Sequence, residues 1–142
     1  MYRKMICLIA LNDESVPVLA QARRLANELG ADLHLLHVVE YVPLTGTEDA
    51  MLTAPVSIGE ELEERARGQV RELAERHDVP ATHCRVVSGD LVSELCHLVE
   101  ALQADLVVVG NHSRRGLSAL FDHAEDAVLH RCQCDLLAVH LG

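Results

Sequence analysis

Aromatic residues are scarce in this chain of 142 residues, which has two tyrosines, one phenylalanine and no tryptophan. Proteins that bind single-stranded nucleic acid stack bases on aromatic side chains, and three rings are too few for such a platform. Positive charge is also scarce, because 12 Lys and Arg stand against 22 Asp and Glu, for a formal net charge of −10. A charge of that sign repels nucleic acid and anionic membrane surfaces. We therefore expect neither as a partner.

Long hydrophobic runs are missing as well. The apolar run Met5 to Leu11 is far shorter than the roughly 20 residues that a membrane-spanning helix needs. Arg3 and Lys4 before this run faintly imitate a secretory signal, but the run ends in Asn12-Asp13-Glu14 without a small-residue cleavage site. The sequence therefore predicts a cytoplasmic protein with no membrane association.

The five cysteines are an odd number, and apolar residues make up 49% of the chain. A disulfide framework is typical of chains with too little core, and this chain has enough, so we expect all five thiols to be reduced. The pattern His130-x-Cys132-x-Cys134 resembles part of a metal site, but it lacks the second pair of ligands that tetrahedral zinc requires. We therefore expect no metal.

Strand-like and helix-like patterns alternate along the whole chain, which has the length of a single domain, residues 1–142. Strands are predicted at Met5 to Leu11, Asp32 to Val39, Thr82 to Val87, Asp105 to Gly110 and Asp135 to Leu141. Helices are predicted from Asp13 or Ser15 as the cap to Leu29, at Ile58 to His77, from Leu91 to Leu102 and from Gly116 to Arg131. This alternation predicts an α/β fold, a three-layer open sandwich in which a parallel sheet has helices on both faces.

In open α/β sheets a ligand binds beyond the carboxyl ends of the strands. The best phosphate candidate at that edge is the segment Gly110-Asn-His-Ser-Arg-Arg-Gly116, whose backbone N–H groups precede a helix and whose arginines add positive charge. The alternative is a solvated helix start with no ligand. Neither a dinucleotide fingerprint nor a P-loop is present, and the acidic loop Asn12-Asp13-Glu14 would repel a triphosphate.

Five short motifs, in order along the whole chain, resemble the universal stress protein A family. They are Ile9-Ala-Leu11, Leu35-Leu-His-Val38, Ser88-Gly-Asp-Leu91, Asp105-Leu-Val-Val-Val-Gly110 and Cys134-Asp-Leu-Leu-Ala-Val139. The resemblance implies a Rossmann-like fold of the adenine nucleotide alpha hydrolase type, with five parallel strands in the order 3-2-1-4-5. It also implies a cytoplasmic role in the stress response.

Nucleotide-binding members of that family carry Gly-x2-Gly-x9-Gly and then Ser or Thr after the fourth strand. Gly110 matches this pattern, but Ser113, His123 and Ala124 replace the other three positions. Glycine lets the backbone approach a phosphate closely, whereas an imidazole fills that space. In the first loop, Asn12 stands where many members that bind ATP have Asp. The resemblance is therefore to the branch that binds no nucleotide, is not an enzyme and needs no cofactor.

The alternative reading is a nucleotide-dependent switch that binds ATP with Mg²⁺ and hydrolyses it slowly. The resemblance then gives the candidate nucleotide-binding residues Asn12, Val39, Gly110, Asn111, Ser113, Arg114, His123 and Ala124. No Ser-His-Asp arrangement can be identified, so no catalytic residue is predicted.

The last strand is an edge of a sheet ordered 3-2-1-4-5, and family members commonly form two-fold dimers through it. Both of its faces are largely apolar, which fits continuation into a partner better than a solvated edge. The resemblance therefore implies a homodimer, with protein partners that the sequence does not identify. The predicted dimer interface comprises Asp135, Leu136, Leu137, Ala138, Val139, His140 and Leu141.

Overall fold

The structure is a computed structural model, and it describes residues 2–40, 55–111 and 131–140. Strands and helices alternate through the first two of these ranges, as the sequence predicts. The elements are β1 (Lys4–Leu8), α1 (Ser15–Leu29), β2 (Asp32–Val39), α2 (Pro55–Arg76), β3 (Cys84–Ser88), α3 (Leu91–Leu102), β4 (Leu106–Asn111) and β5 (Asp135–His140). The predicted helix from Gly116 lies outside the described residues except for its last residue, Arg131.

The five strands form one sheet in the order β3-β2-β1-β4-β5, and every neighbouring pair is parallel. The predicted α/β class and strand order are therefore confirmed. The chain direction across the sheet reverses between β1 and β4, because β2 and β3 lie on one side of β1 and β4 and β5 on the other. In open α/β sheets that reversal opens a crevice at the carboxyl ends of the two central strands.

The central strands are buried on both faces, which explains their continuous apolar runs. Successive side chains of a strand point to opposite faces, so Cys7 packs toward α1 and α2 while Ile6 packs toward α3. The first layer includes Leu19, Leu35, Val70 and Val108, and the second includes Leu36, Leu95, Val99 and Val107. Each large side chain buried in this way contributes about 1.5–3 kcal/mol.

The start of α1 differs from the prediction, whereas its end agrees with it. Pro17 lies in the first turn, where its missing N–H costs no hydrogen bond. The N-cap position belongs to Glu14, and the Ser15 hydroxyl accepts a 3.0 Å hydrogen bond from the Asn12 N–H, so the prediction that Asp13 or Ser15 caps this helix is wrong. Gly30 ends the helix in the left-handed region at φ 68°, as predicted.

Further element boundaries differ from the prediction, and one of them is the end of β1, which lies at Leu8 and not at the predicted Leu11. β3 begins at Cys84 because Ala81–His83 form a 3₁₀ turn after Pro80, which fixes the backbone in an extended conformation. α2 begins at Pro55, three residues before the predicted Ile58, and proline is well tolerated in a first helical turn. Residues 41–54, which connect β2 to α2, lie outside the described residues.

The expectation that all five thiols are reduced is wrong, because Cys96 and Cys132 form a disulfide with Sγ atoms 2.09 Å apart. The two residues are 36 positions apart in the sequence, and only the packing of α3 beside the start of β5 brings their Cα atoms to 5.1 Å. Cys7, Cys84 and Cys134 are free thiols. Within the described ranges, none of the helices is long and apolar enough to span a bilayer.

Candidate functional site

A cavity of about 250 Å³ lies at the carboxyl ends of β1, β2 and β4, beside the first turn of α1. This is the crevice that the strand order creates. Its walls are formed by Leu8, Ile9, Ala10, Asn12, Glu14, Ser15, Val18, His37, Val38, Glu40, Leu91, Val109 and Gly110.

The deep part of the cavity is apolar. Val38 and Val109 come from β2 and β4, Ile9 directly follows β1, and each of the three is at most 7% exposed. Val18 from α1 is also buried there. A surface of this kind is suited to an uncharged, apolar group and offers little to a phosphate.

His37 fixes the geometry between two of the strands. Its Nδ1 lies 2.6 Å from the Ile9 carbonyl oxygen. Because a carbonyl can only accept a hydrogen bond, Nδ1 is the donor in this contact. The imidazole therefore binds the end of β2 to the residue that follows β1, and it shapes one wall of the cavity.

The charged groups of the cavity are acidic. Glu14 and Glu40 line it, and no Lys or Arg does so in the part of the chain that the structure describes. Burial raises the pKa of the Glu40 carboxyl, and the nearby charge of Asp90 raises it further. Negative charge from these groups disfavours a polyanion at this entrance.

The loop between β3 and α3 borders the same entrance. The Gly89 N–H donates to the Val39 carbonyl oxygen at 3.1 Å, and Gly89 has φ 148°, a conformation that side chains rarely adopt. Asp90 is the N-cap of α3, and its Oδ2 accepts the Ser93 N–H at 3.0 Å. The hydrogen bonds from Ser93 lower the pKa of the Asp90 carboxyl. The charged form of Asp90 is thus stabilised at the helix start.

The structure places some of the predicted nucleotide-binding residues together. Asn12 and Gly110 line the cavity, while Val39 and Asn111 end β2 and β4 beside it. Ser113, Arg114, His123 and Ala124 lie outside the described residues.

Sequence reasoning missed His37 and Leu91 as cavity residues, while Glu40 does follow the end of a strand at the edge where a ligand was expected. A signal for His37 was available. The strand Asp32 to Val39 was predicted correctly, and residues at or after the carboxyl end of a central strand border the crevice.

The predicted dimer interface lies at one edge of the sheet. β5 pairs with β4 from Asp135 opposite Leu106 to His140 opposite Asn111. It has no second neighbour among the described strands. Leu137 is 37% exposed on this strand. Leu141 lies outside the described residues.

Sequence comparison shows that the chain is similar to universal stress proteins over nearly its whole length. The family model described as "Universal stress protein family" matches residues 1–140. Universal stress protein A homolog 1 of Coxiella burnetii is 31% identical over 138 residues, which are 97% of this chain and 96% of that protein. Universal stress protein A homolog 2 of the same organism is 30% identical over 141 residues, covering 99% and 96%.

Solved structures show the same fold at lower identity. A universal stress protein in complex with cAMP superimposes with a TM-score of 0.65 at 23% identity, covering 99% of this chain and 98% of the other. The hypothetical protein MJ0577 superimposes with a TM-score of 0.76 at 16% identity, covering 100% and 98%. The family model and the relatives span nearly the full length, so this chain belongs to the universal stress protein family.

Proposed function

We propose that this protein acts in the stress response as a cytoplasmic homodimer that works through protein contacts and binds no nucleotide. The observation that carries the proposal is the charge of the cavity. Two carboxylates and no Lys or Arg line the described part of the site in which a nucleotide would have to be held. A triphosphate would bring further negative charge against Glu40, whose pKa is already raised by burial and by the nearby charge of Asp90. The proposal requires no cofactor and no catalytic step.

The terminal strand supports the homodimer part of the proposal. β5 ends the sheet, and an edge strand carries backbone N–H and C=O groups that a second strand can pair with. Leu137 is partly exposed and lies between the half-buried Leu136 and Ala138. A second copy would cover the apolar side chains of this strand and would also pair with its free backbone N–H and C=O groups.

Calorimetric titration of the purified protein with ATP and Mg²⁺ tests the absence of nucleotide binding. We expect no saturable heat in the micromolar range. A dissociation constant below about 10 μM, roughly −6.8 kcal/mol, would rule the proposal out. Glu40→Gln removes one of the two lining carboxylates and should strengthen any residual ATP binding. Glu28→Gln, at an exposed site on α1, is the matched control and should leave the titration unchanged.

The second candidate function is a switch that binds ATP with Mg²⁺ and hydrolyses it slowly. One specific observation favours it: the cavity keeps an apolar floor next to Asn12 and Gly110. A relative of similar fold is known in complex with cAMP. This function predicts nucleotide that copurifies with the protein as excess absorbance at 260 nm, and its loss in Gly110→Val. Protein free of that absorbance would exclude it.

A further inference from the structure

The disulfide ties α3 to the chain just before β5. Cys96 lies in the middle of α3, and Cys132 lies three residues before the first residue of β5. The Cys132 side chain is only 4% exposed, whereas Cys96 is half-buried. The segment between the two cysteines contains β4. The bond therefore connects α3 to the chain just before the edge strand β5.

The fold does not depend on this bond for its core. Both faces of the sheet are covered by buried apolar side chains without it. Permanent disulfides are typical of small domains with little core, and disulfides of cytoplasmic proteins are usually transient, so the inference rests on the cytoplasmic location proposed above. The other three cysteines of the described ranges remain thiols. The presence of three free thiols beside one disulfide is consistent with a disulfide that forms and breaks reversibly.

The three free thiols are poor candidates for exchange with the disulfide. Burial raises the pKa of the Cys7 thiol to about 12, and Cys7 is fully buried. Burial also raises the pKa of Cys84 and of Cys134. Because the thiolate is the nucleophile, these groups stay unreactive near neutral pH. An attacking thiol must therefore come from outside the chain.

A cavity of about 490 Å³ gives such a thiol access to the bond. Cys96 and Cys132 both line it, together with the polar side chains of Gln103, Arg131 and Gln133 and the carboxylates of Glu100 and Asp105. It opens beside the amino end of β4, at the opposite end of the sheet from the acidic cavity. The Arg131 guanidinium is held over α3 by a 3.3 Å hydrogen bond from Nη2 to the Ser93 hydroxyl. Arg131 therefore brings one positive charge to this cavity, beside the two carboxylates.

We propose that Cys96–Cys132 is a reversible thiol-exchange site and that its co-reactant is a low-molecular-weight thiol of the glutathione type. The external thiolate attacks Sγ of Cys96, the more exposed residue of the pair. The disulfide bond breaks, its electron pair goes to Sγ of Cys132, and a mixed disulfide remains on Cys96. A second external thiol attacks that mixed disulfide and releases the external disulfide. Both cysteines take up a proton, and the two external thiols have supplied two electrons.

Reduction removes the covalent tie but leaves the hydrogen bonds that hold β5. The Asp135 N–H still donates to the Asp105 carbonyl oxygen at 3.1 Å, and the ladder to β4 persists. The reduced protein should therefore stay folded while the start of β5 opens more often. Hydrogen exchange should become faster at the amides of residues 135–140 and stay unchanged in β2.

Equilibration in buffers of reduced and oxidised glutathione tests the proposal. The folded protein is quenched with acid and an alkylating reagent, and its intact mass gives the oxidised, reduced and mixed-disulfide fractions. About a hundredfold change in the ratio of squared reduced to oxidised glutathione should move the oxidised fraction from about nine tenths to about one tenth. A transient adduct of one glutathione should be found on Cys96.

Matched variants separate this site from the other cysteines. Cys134→Ser and Cys84→Ser should titrate like the unmodified protein, while Cys96→Ser should show no shift with the glutathione ratio. The proposal is overturned if the bond resists glutathione until the protein is unfolded in urea, or if no ratio of glutathione produces it.

Discussion

At the level of single residues, Asp90 shows how one side chain at the cavity entrance serves the fold. It caps α3 through the Ser93 N–H. Asp90→Ala should lower the free energy of unfolding by about 1 kcal/mol, because the first turn loses its acceptor. Urea unfolding at pH 7 measures the change. Asp90→Asn keeps an acceptor and should lose much less, so equal losses in the two variants would contradict the capping role.

The same cap has a predictable pH dependence. Hydrogen bonds from Ser93 lower the pKa of Asp90 in the folded protein. The stability that ionised Asp90 contributes is therefore fully present above its pKa in the unfolded chain, about 3.9. It is lost as the pH falls through the lower pKa of the folded protein. The Asp90→Asn variant should lack this part of the acid destabilisation when urea midpoints are compared at pH 7 and pH 3.

A second residue-level prediction concerns His34 and His83, whose rings stack with centroids 4.1 Å apart. Burial lowers the pKa of His34, the charges of His83 and Lys4 lower it further, and Asp32 opposes them. The folded protein therefore binds fewer protons than the unfolded chain, and stability falls as the pH drops below about 6.5.

Urea midpoints at pH 7.5 and pH 5.5 measure this effect. His34→Gln should show a smaller decrease between the two pH values than the unmodified protein. His97→Gln, at an exposed site on α3, is the matched control and should keep the full decrease. An unchanged decrease in His34→Gln would show that the stacked pair is not its source.

Contacts between distant residues mark the limit of what the sequence predicts at this level. The period of the strand correctly predicts that His34 and His37 lie on opposite faces of β2. It cannot predict that His34 meets His83 or that Cys96 meets Cys132. Both contacts join residues far apart in the chain, and they depend on how a turn or helix packs on the sheet.

At the level of elements, two glycines illustrate opposite backbone requirements. Gly30 ends α1 at φ 68°, so Gly30→Ala should destabilise the protein by about 1 kcal/mol although a Cβ would meet no atom there. Gly68 is exposed within α2 and also has open space, so Gly68→Ala should stabilise by about 1 kcal/mol. Urea unfolding of both variants measures the difference, and changes of equal sign would contradict the conformational argument.

Helices and strands were predicted well where periodicity and breakers agree. The bounds of β2 and the end of α1 at Leu29 match the sequence pattern because alternation, an amphipathic stripe and Gly30 all mark them. The start of β3 was missed because Thr82 and His83 are compatible with a strand, yet Pro80 and the following turn delay it. Local propensity cannot decide such a boundary, since the turn is fixed by tertiary contacts such as the His83 Nδ1 hydrogen bond to the Leu33 carbonyl oxygen.

At the level of the whole molecule, the order of the strands follows from the alternation of elements and the family resemblance, and it determines where the cavity forms. The acidic character of that cavity was foreseen in part. The segment Asn12-Asp13-Glu14 predicted negative charge in the loop after the first strand. Glu40 adds its carboxylate to the cavity because β2, which it follows, pairs with β1. The net charge of −10 also bears on assembly, because two copies repel each other unless salt screens them.

Dimerisation through β5 is the last prediction, and it rests on Leu137 at the sheet edge. The unmodified protein should sediment as a dimer, more completely at 0.5 M than at 0.05 M salt because screening reduces the repulsion between two acidic copies, with Debye lengths from roughly 4 to 14 Å. Leu137→Glu should weaken the dimer by about 10-fold or more, because both copies would place a charge where the exposed 37% of the leucine would be covered.

Leu29→Glu is the matched control for this variant, because Leu29 is 41% exposed at the end of α1 and lies outside β5. It should sediment like the unmodified protein. A monomeric unmodified protein, or a dimer that Leu137→Glu leaves intact, would show that the copies do not meet along β5. If the protein is a monomer, the proposed stress function would depend on another partner. If the dimer survives Leu137→Glu, it would depend on another surface of this chain.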